Sequence, residues 1–303
     1  MDIVEYYLEK LPLKNKNPVI GTFGWSLLHN AVHFGYLEGV QAITKYLRNI
    51  NPGDANGFTP LHLAAKEGHL SIVEYFVENL NDINPAAGSF HSNGTPFHFA
   101  AANGQLNVVE YYLGQLQMTN KNPGLNSSDV RVQGLTPLHL AAGKGYMNIV
   151  QAISKYLTNI NPEFGNGCTV LHTAVFYNQL PIVNYLVANL DDYNPATCDE
   201  YHQNGTLIGY GYSPLHIAAY KGHIDIVHFF VDRLEEVNPP TTDSRGSNRT
   251  PLHVAAANDQ LSVVIYLSEK VSNPTVKDKF GKTPYDLALE SGHTDVAEFL
   301  QQF

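Results

Sequence analysis

Residues 56–84 read NGFTPLHLAAKEGHLSIVEYFVENLNDIN, and this stretch decides the fold. Thr59 is a good N-cap. Pro60, at the first helical position, gives up a donor that would be unpaired anyway. Leu61, Leu63, Ala64 and Ala65 follow, and Gly68 breaks the helix. A second run, LSIVEYFVENL at 70–80, puts Ile72, Val73, Phe76, Val77 and Leu80 on one helical face. Asn84-Pro85 closes the stretch, because the residue before Pro is pushed out of the helical region and Asn favours turns. The unit is therefore a short helix, a break, a longer helix and a turn. Ala64 and Ala65 permit close helix contact. One such pair has too small a core to stand alone, so it must stack on neighbours.

The same signals recur along all 303 residues. Asn-Pro steps close units at Asn17, Asn51, Asn84, Asn122, Asn161, Asn194, Asn238 and Asn273. NINP is written at 49–52 and again at 159–162, with DINP at 82–85. The helix-opening word reads SLLH at 26–29, TPLH at 59–62, TPFH at 95–98, TPLH at 136–139, TVLH at 169–172, SPLH at 213–216, TPLH at 250–253 and TPYD at 283–286. Successive words lie 33, 36, 41, 33, 44, 37 and 33 residues apart. A longer period sits on top: VQAITKYLRNINP at 40–52 returns as VQAISKYLTNINP at 150–162, and VEYYLEKL at 4–11 returns as VEYYLGQL at 109–116. The array reads as copied blocks of about three repeats.

This pattern resembles the ankyrin repeat, over practically the whole chain and with that family's period of about 33 residues. The resemblance implies an all-α, ankyrin-like solenoid: a curved stack of antiparallel helix pairs with inter-repeat hairpin loops. It also implies that the His of each TPLH word is a neutral structural residue, bonded near its own Thr and to the neighbouring loop. The boundaries read as a leading half repeat at 1–18, then repeats at 19–51, 52–84, 85–122, 123–161, 162–194, 195–238 and 239–273, and a C-terminal capping repeat at 274–303. In the last, Asp286 replaces the His, which reads as a polar cap. The start offers only a second helix, residues 2–11, either a minimal cap or the edge of a longer array. The Gly that usually follows the second helix in this family is mostly missing. Asn79, Asn81 or Asn159 is expected to supply that turn, since Asn tolerates the left-handed conformation.

Composition narrows the function classes. The net charge is -10 with no Lys/Arg cluster, which argues against a nucleic-acid partner. Two cysteines, Cys168 and Cys198, cannot form a disulfide framework and favour a reducing compartment, so the expected setting is cytoplasmic or nuclear. The N-terminus lacks a signal-peptide pattern, and no apolar run approaches the roughly 20 residues of a membrane helix. Nucleotide, metalloprotease and hydrolase motifs are missing, so no enzyme and no cofactor is expected. Of fourteen histidines, seven are TPLH positions and three (His69, His223, His293) follow a Gly at the break. The insertion at 197–212 holds Cys198, Asp199, Glu200 and His202, but without a recognised metal-ligand spacing; a polar insertion that the repeat does not need is the preferred reading.

Positions that vary between units are free of the fold. They are the residue before each Thr/Ser cap and the fourth and fifth residues after the TPLH His. In the ankyrin family these line the concave contact face. Aromatics gather there in two sets: Trp25, Phe34 and Phe58, and then Phe176, Tyr177, Tyr212 and Tyr220. Tyr and Trp are common interface anchors, so both sets are expected to bind a protein. The competing reading is that they pack under loops or adjacent helices. The expected function is a monomeric protein-interaction scaffold. The alternative is a docking arm or spring within a larger channel or toxin. The resemblance further implies asparaginyl hydroxylation at Asn51, Asn84, Asn161 and Asn194, which have apolar Ile43, Phe76, Ile153 and Leu186 eight positions earlier.

Overall fold

The computed structural model describes residues 10, 17–20, 24–88, 93–116, 121–126, 128, 133–165, 167–195, 200–203, 206–241 and 247–303. The chain resolves into two compact units, residues 1–158 and 159–303. In the first, the hairpin β1 (Val19–Ile20) and β2 (Trp25–Ser26) leads into four helix pairs. These are α1 (Leu27–His33) with α2 (Leu37–Thr44), α3 (Pro60–Glu67) with α4 (Leu70–Asn79), α5 (Pro96–Ala102) with α6 (Leu106–Gln115), and α7 (Pro137–Lys144) with α8 (Met147–Ser154). The second unit opens with β3 (Glu163–Phe164) and β4 (Cys168–Thr169) before α9 (Val170–Phe176) and α10 (Leu180–Val187). The longer hairpin β5 (Glu200–Gln203) and β6 (Thr206–Tyr210) follows. Three pairs complete the unit: α11 (Pro214–Lys221) with α12 (Ile224–Val231), α13 (Pro251–Ala257) with α14 (Leu261–Lys270), and α15 (Pro284–Glu290) with α16 (Thr294–Leu300). The leading helix expected at 2–11 lies outside the described residues apart from Lys10, which is helical.

Within each unit the helix pairs pack in series. First helices run α1, α3, α5, α7 and, separately, α9, α11, α13, α15. The paired alanines explain the close approach: Ala64 and Ala65, Ala100 and Ala101, Ala141 and Ala142, Ala218 and Ala219, and Ala255 and Ala256 are all fully buried. Second helices supply the larger side chains, such as Ile72, Val73 and Phe76 on α4, also fully buried. Val77 and Leu80 at the edge of that face are only half-buried.

Two polar interactions couple successive repeats within each unit. The first belongs to the TPLH histidine. In α3, the Thr59 N–H donates to His62 Nδ1 at 3.2 Å, while His62 Nε2 lies 3.2 Å from the Gly94 carbonyl of the next hairpin. An Nδ1 that accepts a backbone N–H must be unprotonated, so Nε2 carries the hydrogen and donates forward. His29 makes the same forward bond to Phe58, His98 to Leu135, His172 to Tyr212, His216 to Arg249 and His253 to Lys282. Most of these carbonyls also accept a hairpin N–H, as Gly94 O does from Ala87 and Leu135 O from Leu125. In the last repeat Asp286 keeps only the local half. Its Oδ2 accepts from the Thr283 N–H and hydroxyl, both at 2.8 Å. Lacking an N–H, its carboxylate cannot donate forward.

The second interaction explains NINP. Asn49 Oδ1 accepts from the Asn51 N–H, closing a local turn, and Asn51 Oδ1 then accepts from the Leu61 N–H. Leu61 is the second residue of α3, so the Asn before Pro satisfies an orphan donor at the start of the next helix. The pairing recurs from Asn17 to Leu28, Asn84 to Phe97, Asn122 to Leu138, Asn161 to Leu171, Asn194 to Leu215 and Asn238 to Leu252. The expectation that Asn79, Asn81 or Asn159 adopts a left-handed turn is overturned. Among the described residues the non-glycine positive-φ positions are Asn93, Asn178, Asn248 and Asp259. Asn79 instead donates its Nδ2 back to the Tyr75 carbonyl at 2.7 Å, and Asn159 forms the local turn to Asn161.

The break between the two helices does need a left-handed residue. Gly68 has φ +82°, and a Cβ there would meet Gln105 Oε1 at 2.2 Å. Gln105 reaches over that glycine to donate to the Lys66 carbonyl at 3.1 Å. The break histidines act likewise on the preceding repeat, His69 on the His33 carbonyl, His223 on Phe176 and His293 on Ala257. Asn178 and Asp259 take the left-handed position, both at φ +58°, where glycine is missing. The insertion at 197–212 contributes β5 and β6, paired antiparallel from Glu200 opposite Tyr210 to Gln203 opposite Thr206, with an irregularity between Tyr201 and His202.

Burial holds the coupling histidines well below their usual range. His98, His172 and His216 fall to about 4, and burial also lowers His29 and His253. Nearby charges modulate this: Asp192 opposes the shift at His172 and His253 reinforces it at His216. A folded pKa below the unfolded 6.5 means that the unfolded chain binds more protons between those values. The stabilisation is therefore complete above pH 6.5 and is lost as pH falls toward 4, on the order of 3 kcal/mol per fully buried histidine. Melting temperature should be flat from pH 8 to about 6.5 and then fall steeply to pH 4. A constant melting temperature across that lower window, measured by circular dichroism, would refute the neutral-histidine coupling.

Candidate protein-interaction face

In two repeats a contact shows that the residue before the cap and the end of the first helix lie together. Lys282, before the Thr283 cap, is ion-paired with Glu290 at the end of α15. Trp25, before Ser26, has its ring 5.9 Å from His33 at the end of α1. In these two repeats the variable positions share one side of the helix pair.

Exposure divides them. Phe34 is 80% exposed and Tyr177 52%. Trp25 and Tyr220 are half-buried. Phe58, Phe176 and Tyr212 are buried, which corrects the expectation that both aromatic sets stand free at the surface. The cause is a stack four residues long: an aromatic before the cap lies on the coupling histidine of its own repeat. Tyr212 stacks on His216 with centroids 5.5 Å apart, Phe58 lies 5.3 Å from His62, and Trp25 lies 6.1 Å from His29. Phe58 also meets Phe99 of the next repeat edge-on at 5.0 Å. Phe176 is covered by the Lys221 ammonium, 4.5 Å above its ring. These rings shield the histidines from water and help to keep them neutral. The spacing of aromatic and His at i and i+4 is a sequence signal that announces this packing.

What remains open in the first unit is Phe34, with Trp25 behind it through His33, whose ring lies 5.2 Å from Phe34. In the second unit the exposed Tyr177 meets the buried Phe176 edge-on and the Lys221 ammonium lies over the same ring, with Tyr220 half-buried one position before Lys221. Such mixed surfaces give a large contact area with few rotatable bonds. Of the four polar residues in the 197–212 insertion, Cys198 and Asp199 lie outside the described residues, while Glu200 and His202 sit on β5. Among the described residues no cluster of His, Cys, Asp and Glu is arranged to hold a metal ion. Nor is any described helix long and apolar enough to cross a membrane.

Comparison with known proteins agrees with the repeat geometry. The chain matches the family described as ankyrin repeats (3 copies) over residues 1–88, 47–123, 97–197, 194–278 and 215–302. It is 44% identical over 57 residues to the mitochondrial liver isoform of glutaminase from Rattus norvegicus, and equally to that of Mus musculus. That stretch is 18% of this chain and 10% of either glutaminase. A 56-residue stretch is 43% identical to the 26S proteasome non-ATPase regulatory subunit 10 of Dictyostelium discoideum, 18% of this chain and 24% of that subunit.

The two classes of aromatic separate by mutation. Tyr212→Ala and Phe176→Ala should each cost about 3 kcal/mol or more of stability. Tyr177→Ala should cost less than about 1 kcal/mol. Urea denaturation of the three variants checks this, and equal losses would contradict the division between packed and open rings.

Proposed function

Because the chain belongs to the ankyrin-repeat family, we propose that it is a protein-interaction scaffold holding a protein partner on the side formed by cap-preceding residues and first-helix ends. Proteins of this family are generally binding modules without catalysis. The observation that carries the reading is the contrast between scaffold and surface. The coupling His and cap Asn recur in nearly every repeat, while the position five residues after that His changes from Phe34 to Glu67 to Tyr177. Phe34, Tyr177 and Tyr220 are the anchors, with Trp25 supporting the first. Phe58, Phe176 and Tyr212 serve by holding those surfaces in shape. Truncating an anchor costs about 2 kcal/mol or more in affinity. Affinity capture with the intact chain and with the Phe34→Ser and Tyr177→Ser variants, compared by mass spectrometry, tests it. Partners lost from either variant, with its melting unchanged, support the face of that unit. An identical partner set for all three would move binding elsewhere.

A second proposal concerns Asn51, Asn84, Asn161 and Asn194 as sites of asparaginyl hydroxylation. All four are half-buried and use Oδ1 to hold the next helix. An added oxygen on a side-chain carbon leaves that acceptor in place. Intact mass after co-expression with an asparaginyl hydroxylase should rise by one oxygen per modified site, and an unchanged mass retires the idea.

A further inference from the structure

Arg249 is an anion-reading group that the fold does not require. It precedes the cap of α13, and its Nε lies 3.4 Å from Asp278 Oδ2 in the next hairpin. The Asp278 side chain is fully buried and that of Arg249 is 34% exposed. Asp278 already has structural work: its Oδ1 accepts the N–H groups of Phe280 and Lys282 at 2.8 and 2.9 Å. Asp54 makes the same pair of turn bonds, to Asn56 and Phe58, at 2.8 and 3.0 Å. The position corresponding to Arg249, 29 residues before Asp54, is Trp25. The hairpin is therefore built equally well without an arginine.

What Asp278 does for Arg249 is fix it. Only Nε is engaged, and among the described residues no other side chain meets the guanidinium. The two terminal nitrogens form the fork that matches a carboxylate in bidentate geometry. The two variable positions at the end of α13 are the short side chains Ala257 and Asn258, both half-buried. One repeat earlier, Lys221 is held over Phe176, whose ring also meets Tyr177, and the half-buried Tyr220 precedes Lys221 in the chain. The charge balance agrees. Residues 159–303 hold eight Lys and Arg against seventeen Asp and Glu, yet the contact positions of that unit carry Lys221, Arg249 and Lys282 against Glu290 alone.

Resting on the scaffold reading, we infer that the partner of the second unit is an acidic peptide segment. Its Asp or Glu side chain is read by the Arg249 fork, and an adjacent apolar side chain lies on Tyr177 and Tyr220 beside Lys221. The experiment is a fluorescence-anisotropy titration of the full chain with a labelled peptide alternating Glu with Leu and Tyr. The control peptide has Lys at every Glu. The acidic peptide should bind and the basic one should not, and binding should weaken with added salt. Arg249→Lys keeps a charge on Asp278 but loses the fork, and should weaken binding about fivefold or more. Lys221→Gln should weaken it by a similar factor, with the melting temperature unchanged in both. Failure of the acidic peptide to bind, equal binding of the two peptides, or binding indifferent to both substitutions overturns the inference. If the partners captured above still depend on Tyr177, the scaffold reading survives that failure.

Discussion

A histidine that stays neutral is the constraint on which the rest depends. Its Nδ1 must accept the N–H of its own helix cap, and its Nε2 must donate to a carbonyl in the following hairpin. Both demands are met only by one uncharged tautomer, and burial enforces it. The aromatic residue four positions earlier, where present, lies over the imidazole and excludes water. The paired alanines on the same helix bring the neighbouring repeat within bonding distance. Loop lengths vary between repeats, but the distance between a histidine and its acceptor does not: it stays within 3.0 to 3.2 Å for His29, His62, His98, His172, His216 and His253. Insertions such as the β5 and β6 hairpin are tolerated because they enter between these fixed points.

Much of this was legible in the sequence, because the signals are local. Thr-Pro before an alanine-rich run marks a first helix and Gly68 a break, and both fall where the helices begin and end. The amide pairing was not legible. The partner of an Asn lies ten residues on at Leu61 but twenty-one on at Leu215, so no fixed window reveals it. The left-handed turns were misassigned for a related reason. Asn79 and Asn159 have the right chemistry, but both already have hydrogen-bonding roles, while Asn178 and Asp259 occupy the positions that need the conformation.

The interaction face was legible by position and misjudged by exposure. Variation between repeats shows that the fold does not dictate a side chain. It does not show that the side chain is open to solvent. Phe58, Phe176 and Tyr212 are replaceable in that sense and still buried, because each found packing in its own repeat or against the next. Arg249 is the converse case. It looked like one variable residue among many, and only the fully buried Asp278 behind it distinguishes it from an ordinary surface arginine.

The cap asparagines carry one more consequence, which concerns chemical ageing. An asparagine side chain is lost over time when the backbone nitrogen that follows it attacks the side-chain carbonyl, expelling ammonia and leaving an aspartate or its isomer. Proline has no N–H, and its ring nitrogen is a poor nucleophile for that closure. Every asparagine that holds the start of the next helix here is followed by proline. The asparagines followed by glycine, where closure is fastest, include Asn56 and Asn103, neither of which caps a helix of the next repeat. The residue that ends each unit therefore also protects the amide that starts the following helix, so these capping amides outlast the Asn-Gly amides of the neighbouring hairpins, such as Asn56 and Asn93.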